Sequence, residues 1–343
     1  MHIELDGRNA IDDHVHVVSR LELNHVAFEQ NADVSIAIPT FRRPDILLEA
    51  VASALAQNCA ERCEIVIVDN DGEGEIDEHL KIMIAGQQKM NVRYYRNEVN
   101  IGMFGNWNRA IALSQGNWMT LLNDDDLLAP SFVLRSIAAL NDVGGGEGIV
   151  CCSDTYDRRP GAKPSDASQA VSVPSRLRTY LRFNRYGVSR LTPRVLFFGN
   201  EAGNSAGFLF CREVAIQIGG FLPEEWPASD YTFYVRFAMQ ARLFLFSPIL
   251  AHVGIGENES MRPETLTGFV EVLAATRLAL AGREVPTKWK GLNSQLVSNS
   301  ILDIKEAWGV ELSRSEISRK LQIDIPKPNR KRVLLSRILL RGY

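Results

Sequence analysis

The chain alternates short apolar segments with segments whose apolar residues recur at helical spacing. VSIAI (residues 34–38) has the length and composition of a buried strand, and PDILLEAVASALAQ (44–57) follows it with apolar residues three and four positions apart. The same order of strand and helix recurs at 64–86, 92–115 and 118–140, and 148–154 adds a further strand. Because parallel strands require helical crossovers, this alternation predicts an α/β fold with a mostly parallel sheet flanked by helices.

The second half of the chain follows a less regular pattern. Residues 158–194 carry nine basic residues and a single acid, which indicates an inserted basic loop, either a solvated linker or a contact surface for an anionic or sugar-bearing partner. Strand patterns at 203–210 and 241–247 bracket a helix around 231–241. From Pro263 onward the pattern predicts helices.

Composition narrows the class of protein. With 343 residues, 45% apolar and 23% charged, the chain has the profile of an ordinary globular protein. A net charge of −3 argues against nucleic acid as a partner, and neither a membrane-spanning run nor a signal-peptide pattern is present, so we expect a cytoplasmic location. The tail 327–343 mixes six basic residues with Val, Leu and Ile. That mixture is compatible with a helix on the anionic cytoplasmic membrane face or with one packed on the domain.

Polar clusters follow each of the first four predicted strands. They occupy residues 39–43, 69–71, 97–102 and 123–126. In open parallel sheets, ligands bind outside the carboxyl ends of the strands. A single Asp or Asn in a loop is often only a turn residue, but four clusters at the same edge predict a binding site.

Three consecutive carboxylates, Asp124, Asp125 and Asp126, stand out in the last of these clusters. Adjacent negative charges disfavour one another's ionisation unless a positive charge lies among them, and a divalent cation is one such charge. Asp126 alone could instead cap the helix that begins near Pro130, but a cap accounts for only one of the three. The sequence has neither a P-loop nor a GxGxxG after its first strand, which argues against an ATPase or a Rossmann dehydrogenase.

Five segments together resemble one protein family in order and spacing. They are IPTFRRPDIL (38–47), IVIVDN (65–70), NEVNIGMFGNWNRAI (97–111), LLNDDDLLAP (121–130) and ASDYTFYVRFA (228–238). This set resembles the inverting family 2 glycosyltransferases, which have the GT-A fold, a Rossmann-like sheet flanked by helices. Any one of these motifs is weakly specific, whereas the complete series is strongly so.

The resemblance covers residues 33–260 and implies a domain organisation. Residues 33–154 would form the half that binds the nucleotide-sugar, and 155–260 the half that binds the acceptor. Residues 1–32 would be an N-terminal extension, and 261–343 a helical C-terminal region.

The resemblance also implies roles for individual residues at the donor site. Asp69 would accept a hydrogen bond from the base, Asp125 would be the main ligand of a Mn²⁺ or Mg²⁺ cofactor, and Asp126 a supporting or capping carboxylate. Asp124 would contact the metal or the ribose. The other residues implied to bind the nucleotide are Pro39, Thr40, Phe41, Arg43, Asn100, Gly102 and Asn108. The chain departs from the family's common form at Asn123, where many members have a further aspartate.

The family's catalytic base corresponds to Asp230, with Arg236 six residues later as in the family pattern. Ser229 replaces a usual glutamate, so Glu224 and Glu225 are alternative bases. An inverting transfer requires one carboxylate that takes the acceptor's proton. His252 is a candidate further metal ligand, although Ile255 falls where the family's histidine would be.

The function that these residues predict is metal-dependent, inverting transfer of a sugar from a nucleoside diphosphate, preferably UDP, to a hydroxyl of a glycan or lipid-linked glycan. Asn123 and Ser229 leave open a non-catalytic scaffold that binds nucleotide-sugars. A sugar nucleotidyltransferase is a third alternative, which IPTFRRP disfavours because such enzymes carry a glycine-rich loop after the first strand.

Overall fold

A computed structural model describes residues 3–6, 8–59, 62–157, 184, 186–255 and 262–341. The basic segment 158–183, with Tyr180 and Phe183, therefore lies outside the described residues. Within the described part of the chain, no helix is long and apolar enough to cross a bilayer.

The described strands form a single ten-stranded sheet. The strands are β1 (Ser19–His25), β2 (Val34–Thr40), β3 (Cys63–Asp69), β4 (Asn91–Asn97), β5 (Trp118–Leu121), β6 (Asp126–Leu128), β7 (Gly148–Asp157), β8 (Val188–Leu191), β9 (Phe208–Cys211) and β10 (Leu243–Ile255). Their order is β1-β4-β3-β2-β5-β9-β7-β10-β6, and β8 pairs with β10.

Helices flank both faces of the sheet and extend beyond it at the C-terminus. They are α1 (Pro44–Leu55), α2 (Glu78–Ala85), α3 (Gly102–Leu113), α4 (Phe132–Asp142), α5 (Pro193–Leu196), α6 (Arg212–Gln217), α7 (Ser229–Gln240), α8 (Pro263–Leu280), α9 (Asn293–Trp308), α10 (Arg314–Leu321) and α11 (Arg330–Arg341). Proline at the first turn of α1, α5 and α8 suits its fixed φ and missing N–H. The predicted helices of the first half are confirmed, with no end shifted by more than two residues.

The central strands β2 and β3 are buried on both sides because both faces of the sheet are covered there. Ile36 and Ile38 of β2 pack into one core beneath α1, whereas Ala37 between them belongs to the core on the opposite face. Burial on both faces is what gives such strands continuous rather than alternating apolar runs. A third apolar cluster, including Val270 of α8 and Ile301 of α9, joins the C-terminal helices.

The sheet is mixed, and its parallel part is the part that the sequence predicted. β2 pairs in parallel with β3 and β5, and β3 with β4. The short strand β9, however, lies antiparallel between β5 and β7, so these two are not direct neighbours. No local pattern specifies this insertion, because a four-residue strand takes its partners from long-range packing.

The N-terminal segment is part of the same sheet. β1, within the predicted N-terminal extension 1–32, pairs antiparallel with β4 along one edge. Ile3, Leu5 and Val17 of this segment are buried. The segment is therefore packed on the domain and contributes to its core.

Candidate functional site

The carboxyl ends of β2, β3 and β5 and the N-terminus of α3 open into one cavity of about 560 Å³. Nine predicted residues line it: Pro39, Thr40, Phe41, Arg43, Asn100, Gly102, Asp124, Asp125 and Asp230. The predicted catalytic base and the predicted main metal ligand thus face a common space, although they are 105 residues apart in the sequence. This juxtaposition is the central feature of the site.

Further residues of the lining were not predicted as contacts. They are Asn70, Met103, Phe104, Asn106, Trp107, Asn123, Trp226, Pro227 and Ser229. Two of them, Asn106 and Trp107, lie three or four residues from Gly102 and Met103, on the same face of α3. Helical spacing from Gly102 was therefore the signal that could have identified them.

The aspartates in the cavity do have a positive charge among them, and it belongs to Arg43. Its Nη1 lies 3.2 Å from Oδ1 of Asp124 and 3.3 Å from Oδ2 of Asp125. Thr40 Oγ1 donates a hydrogen bond of 2.8 Å to the other oxygen of Asp124. Burial raises the pKa of Asp124, and the contacts from Thr40 and Arg43 oppose that shift.

Asp126, predicted to be a supporting or capping carboxylate, contacts Asn123 of the cavity lining from behind. Its carboxylate accepts hydrogen bonds from Asn123 Nδ2 at 2.9 Å and from the backbone N–H of Gly254 at 3.1 Å. It begins β6, directly after the turn that carries Asp124 and Asp125, and it is not in the cavity lining. It caps no helix either, since α4 begins at Phe132 with Ser131 at its N-cap.

The carboxylates that remain in the cavity fit a divalent cation held jointly with a ligand's phosphates. No three or more His, Cys, Asp or Glu side chains are grouped to hold a metal by themselves anywhere in the described ranges. At nucleotide sites, however, Mg²⁺ is usually bound through one or two carboxylates plus phosphate oxygens and waters. Asp124 and Asp125 provide that number of carboxylates.

A network of asparagine side chains joins the strand ends behind the cavity. Asn97 donates hydrogen bonds to Asn70 at 3.0 Å and to Asn106 at 2.9 Å, and Asn70 donates to Asn100 at 2.7 Å. Asn106 in turn donates to the backbone carbonyl of Val68 at 2.9 Å. These bonds connect β3, β4 and α3, so the network holds the floor of the cavity in one arrangement.

Asp69, expected to contact the base, is used inside the protein. Its Oδ2 accepts hydrogen bonds from the Tyr94 hydroxyl and from Arg96 Nη1, both at 2.6 Å, and its Oδ1 accepts one from the backbone of Asp71. Asp69 is only 6% exposed and is absent from the cavity lining. Its carboxylate therefore secures the end of β3, and its neighbour Asn70 faces the cavity.

Asn108 also lies away from the cavity. Its side chain donates to the carbonyl of Phe221 at 2.8 Å and accepts from the N–H of the same residue at 2.8 Å. Two residues correspond to about 200° around a helix, so Asn108 and Asn106 occupy opposite faces of α3. Asn106 is the one that lines the cavity.

Asp230 lies in the first turn of α7. It is far along the chain from the strand ends that bring Asp124 and Asp125 to the same cavity. Its Oδ1 accepts a hydrogen bond of 2.7 Å from the backbone N–H of Tyr231. Burial raises the pKa of Asp230 to about 6, against the opposing effect of backbone hydrogen bonds. A carboxylate with this pKa is ionised at neutral pH and is a stronger base than an exposed aspartate.

The two alternative bases are occupied elsewhere. Glu225 is 1% exposed and accepts hydrogen bonds from Arg236 Nη2 at 3.0 Å and Thr232 Oγ1 at 2.5 Å. Glu224 is bound by Arg8 at 2.9 Å on the surface. Neither lines the cavity, which leaves Asp230 as the carboxylate that this loop presents there.

His252 lies outside the cavity lining as well. Its Nδ1 forms a short hydrogen bond with Asp154, the residue opposite it on the neighbouring strand β7. His252 is therefore paired with Asp154 and does not belong to the acidic cluster at Asp124 and Asp125.

Comparisons with known proteins give the family and the fold. Residues 35–205 match the profile of "Glycosyl transferase family 2". The uncharacterized protein MT1568 of Mycobacterium tuberculosis is 23% identical over 280 residues, 81% of each chain. The putative colanic acid biosynthesis glycosyl transferase WcaA of Escherichia coli is 30% identical over 103 residues, which cover 30% of this chain and 36% of that protein.

The fold also matches that of a solved structure. TarS 1-349 of S. aureus in complex with UDP-GlcNAc superposes with a TM-score of 0.54 at 16% identity, covering 85% of this chain and 76% of the other. At this level of identity the likeness establishes the GT-A type fold.

Proposed function

Because the chain belongs to glycosyl transferase family 2, we propose that it moves a sugar from a nucleoside diphosphate to an acceptor hydroxyl with inversion at the anomeric carbon. The observation that carries this proposal is the common cavity of Asp124, Asp125 and Asp230. In the transfer, the acceptor oxygen bonds to the anomeric carbon as the bond from that carbon to the diphosphate breaks. The bonding electrons leave with the diphosphate, and the proton of the acceptor hydroxyl passes to Asp230.

The donor end of the cavity is assigned to the strand-end residues. Asp124 and Asp125 would hold Mn²⁺ or Mg²⁺, which when bound supplies positive charge to a departing diphosphate. Arg43, already in contact with both carboxylates, adds a fixed positive charge to the same region. Phe41, 38% exposed, presents an aromatic ring against which a base can pack. The UDP-GlcNAc complex of TarS supports a UDP-sugar as the donor.

The acceptor is assigned to the end of the cavity near Asp230. A glycan, free or lipid-linked, is supported by the colanic acid biosynthesis named for WcaA, so we place the reaction in polysaccharide assembly. Two alternatives differ from transfer in their products. A binding scaffold releases none, and a nucleotidyltransferase releases pyrophosphate when it joins a nucleoside triphosphate to a sugar 1-phosphate.

A donor screen tests the proposal directly. Purified full-length protein with Mn²⁺ is expected to be stabilised against heat by at least one of a panel of UDP-, GDP- and dTDP-sugars and to release the free nucleoside diphosphate slowly, since water can replace the acceptor. Chromatography of the nucleotide products measures this release. Absence of both stabilisation and release across the panel would refute the proposal. Release of pyrophosphate in a parallel assay with nucleoside triphosphates and sugar 1-phosphates would favour the nucleotidyltransferase.

We further propose that α11 contacts an anionic membrane surface. Leu334, Leu335 and Ile338 are 58%, 62% and 60% exposed, and Lys331 and Arg332 are exposed beside them. Ser336 is buried, whereas the apolar stripe is largely exposed, with Leu334 and Ile338 at the edge of the cavity beneath α11. An exposed apolar stripe flanked by cations is typical of helices that lie in the bilayer interface.

Vesicle co-sedimentation is expected to show this contact. The full chain should pellet with vesicles containing phosphatidylglycerol, less so at high salt, and both a chain ending at Pro326 and the variant Leu335→Ser/Ile338→Ser should remain in the supernatant. The serine variant controls for loss of folding on truncation. Equal pelleting of all three proteins would exclude the helix as the contact.

A further inference from the structure

One wall of the cavity is aromatic, and its residues have no assigned role in donor binding. Phe104 and Trp107 of α3 line it together with Trp226 and Pro227, which precede α7. Within this wall, Trp226 is 42% exposed and Phe104 only 8%. Trp226 is therefore the large apolar surface that this wall offers to a ligand.

We propose that the indole of Trp226 is the platform of an acceptor subsite and that it binds a pyranose ring of a saccharide acceptor. This inference rests on the proposed function and specifies its substrate class. The C–H bonds on one face of a pyranose are weakly positive and apolar, and they complement the negative face of an aromatic ring. The hydroxyl groups at the ring edge stay free to meet polar groups of the cavity.

The backbone around Trp226 is held in place by contacts on each side. A turn of 3₁₀-helix, Pro223–Glu225, ends at Trp226, whose N–H donates to the carbonyl of Pro223 at 3.2 Å. The buried pair of Glu225 and Arg236 anchors this turn to α7. Because the loop is fixed before a ligand arrives, binding there incurs little ordering entropy.

The indole ring is supported by Phe104, and the next residue, Pro227, is held by α8. Phe104 lies 6.2 Å from the indole between ring centroids, at an angle of 56°. Pro227 packs on Gly268 of α8 so closely that a Cβ at position 268 would lie 2.9 Å from the proline Cδ. A rigid aromatic surface that remains exposed within a cavity is the form that a ligand platform takes, whereas a core residue would be covered.

The placement of Trp226 relative to the proposed base connects the platform to the reaction. Trp226 and Asp230 belong to the same short segment and line the same cavity, while Asp124 and Asp125 enter it from the strand ends. A sugar resting on the indole would thus present its hydroxyls on the side from which Asp230 acts. Stacking by Trp226 on the base of the donor is the competing role, and the experiment below separates the two.

Saturation-transfer NMR tests the platform. The probes are the methyl glycosides of glucose, galactose, mannose, rhamnose and N-acetylglucosamine, each measured with UDP in a buffer that contains Mg²⁺ and no Mn²⁺. With the wild-type protein, we expect saturation of the ring protons of a glycoside. This saturation should be lost with Trp226→Ala and retained with Trp226→Phe. Trp308→Ala is the matched control, because Trp308 is 47% exposed and lines a different cavity, beneath α11. Thermal unfolding verifies that each variant is folded.

Two results would overturn the proposal. One is the absence of saturation transfer from the wild-type protein to any of the glycosides, and the other is equal saturation of a glycoside by the wild type and by Trp226→Ala. With an accepted saccharide, Trp226→Ala should raise the acceptor KM at least about tenfold, equivalent to ~1.4 kcal/mol, and leave donor hydrolysis within about twofold. A rise in donor KM instead would assign Trp226 to the base. Donor hydrolysis by the wild type reports on the proposed function independently of these readouts.

Discussion

Asp230→Asn is expected to lower kcat by about 10²–10⁴-fold while the Kd of the donor stays unchanged, because an amide keeps the size and the acceptor oxygen of the carboxylate but cannot take up a proton. The hydrogen bond from the N–H of Tyr231 can persist with the amide oxygen. Single-turnover transfer measures the rate, and calorimetry with the donor measures the affinity. Glu224→Gln is the matched control, since Glu224 is a carboxylate on the same loop whose side chain is bound by Arg8 outside the cavity.

The pH dependence of the reaction gives the same prediction a second readout. Because burial raises the pKa of Asp230 to about 6, kcat/KM of the wild type should fall about tenfold per pH unit below that value. Asp230→Asn should lack this acidic limb. Wild-type rates in the variant, or an acidic limb that survives the substitution, would show that another group is the base.

The free energy of unfolding should decrease as the pH rises, whereas kcat/KM increases with pH. The pKa of Asp230 is raised in the folded state from 3.8 to about 6, so the folded protein binds the proton more tightly than the unfolded chain. The stability that protonation provides is fully present below pH 3.8 and is lost as the pH rises through about 6. Asp230→Asn should therefore increase the free energy of unfolding at pH 8 by up to about 3 kcal/mol, measured by urea denaturation, with no increase at the acidic limit.

Asp125→Ala is the second substitution with a large expected effect. It should raise the Kd of the donor in the presence of Mn²⁺ at least about 100-fold, because one of the two cavity carboxylates available to the cation is removed. Calorimetric titration of a UDP-sugar with Mn²⁺ and then with EDTA measures the metal-supported part of the binding. In the variant, the two titrations should nearly coincide.

The control for this substitution is Asp71→Asn. Asp71 is an acidic residue at the neighbouring strand end, bound by Arg42 at 3.1 Å and outside the cavity lining. Its substitution should leave metal-supported binding intact. If Asp125→Ala bound the donor with the same Mn²⁺ dependence as the wild-type protein, Asp125 would not be a metal ligand, and the positive charge of Arg43 would be the main candidate for holding the diphosphate.

Local patterns were sufficient for the parallel half of the sheet and its helices, as β2 followed by α1 illustrates. The strand-end rule also brought Thr40, Arg43 and Asp125 to one cavity, because the carboxyl ends of parallel strands face the same edge. Asp230 was assigned from the family resemblance alone, and the structure adds that its side chain faces this same cavity.

The structure differs from the site predictions mainly in the direction in which side chains point from a strand or helix. Asp69, Asn108 and Asp126 have the expected residue types near the expected places, but their side chains bond to other parts of the protein. A shift of one residue in a strand or two in a helix reverses the face on which a side chain lies. Asn70 and Asn106 therefore occupy the cavity where their neighbours were expected.

The sequence by itself determined the α/β architecture, the family and the edge of the sheet at which polar residues gather, since each of these depends on periodicity or on short segments read in order. Only the tertiary structure decided that β9 lies antiparallel inside the sheet, that Glu225 pairs with Arg236, and that Trp226 remains exposed beside Asp230. These features depend on contacts between segments distant along the chain, and such contacts form through packing of the whole domain.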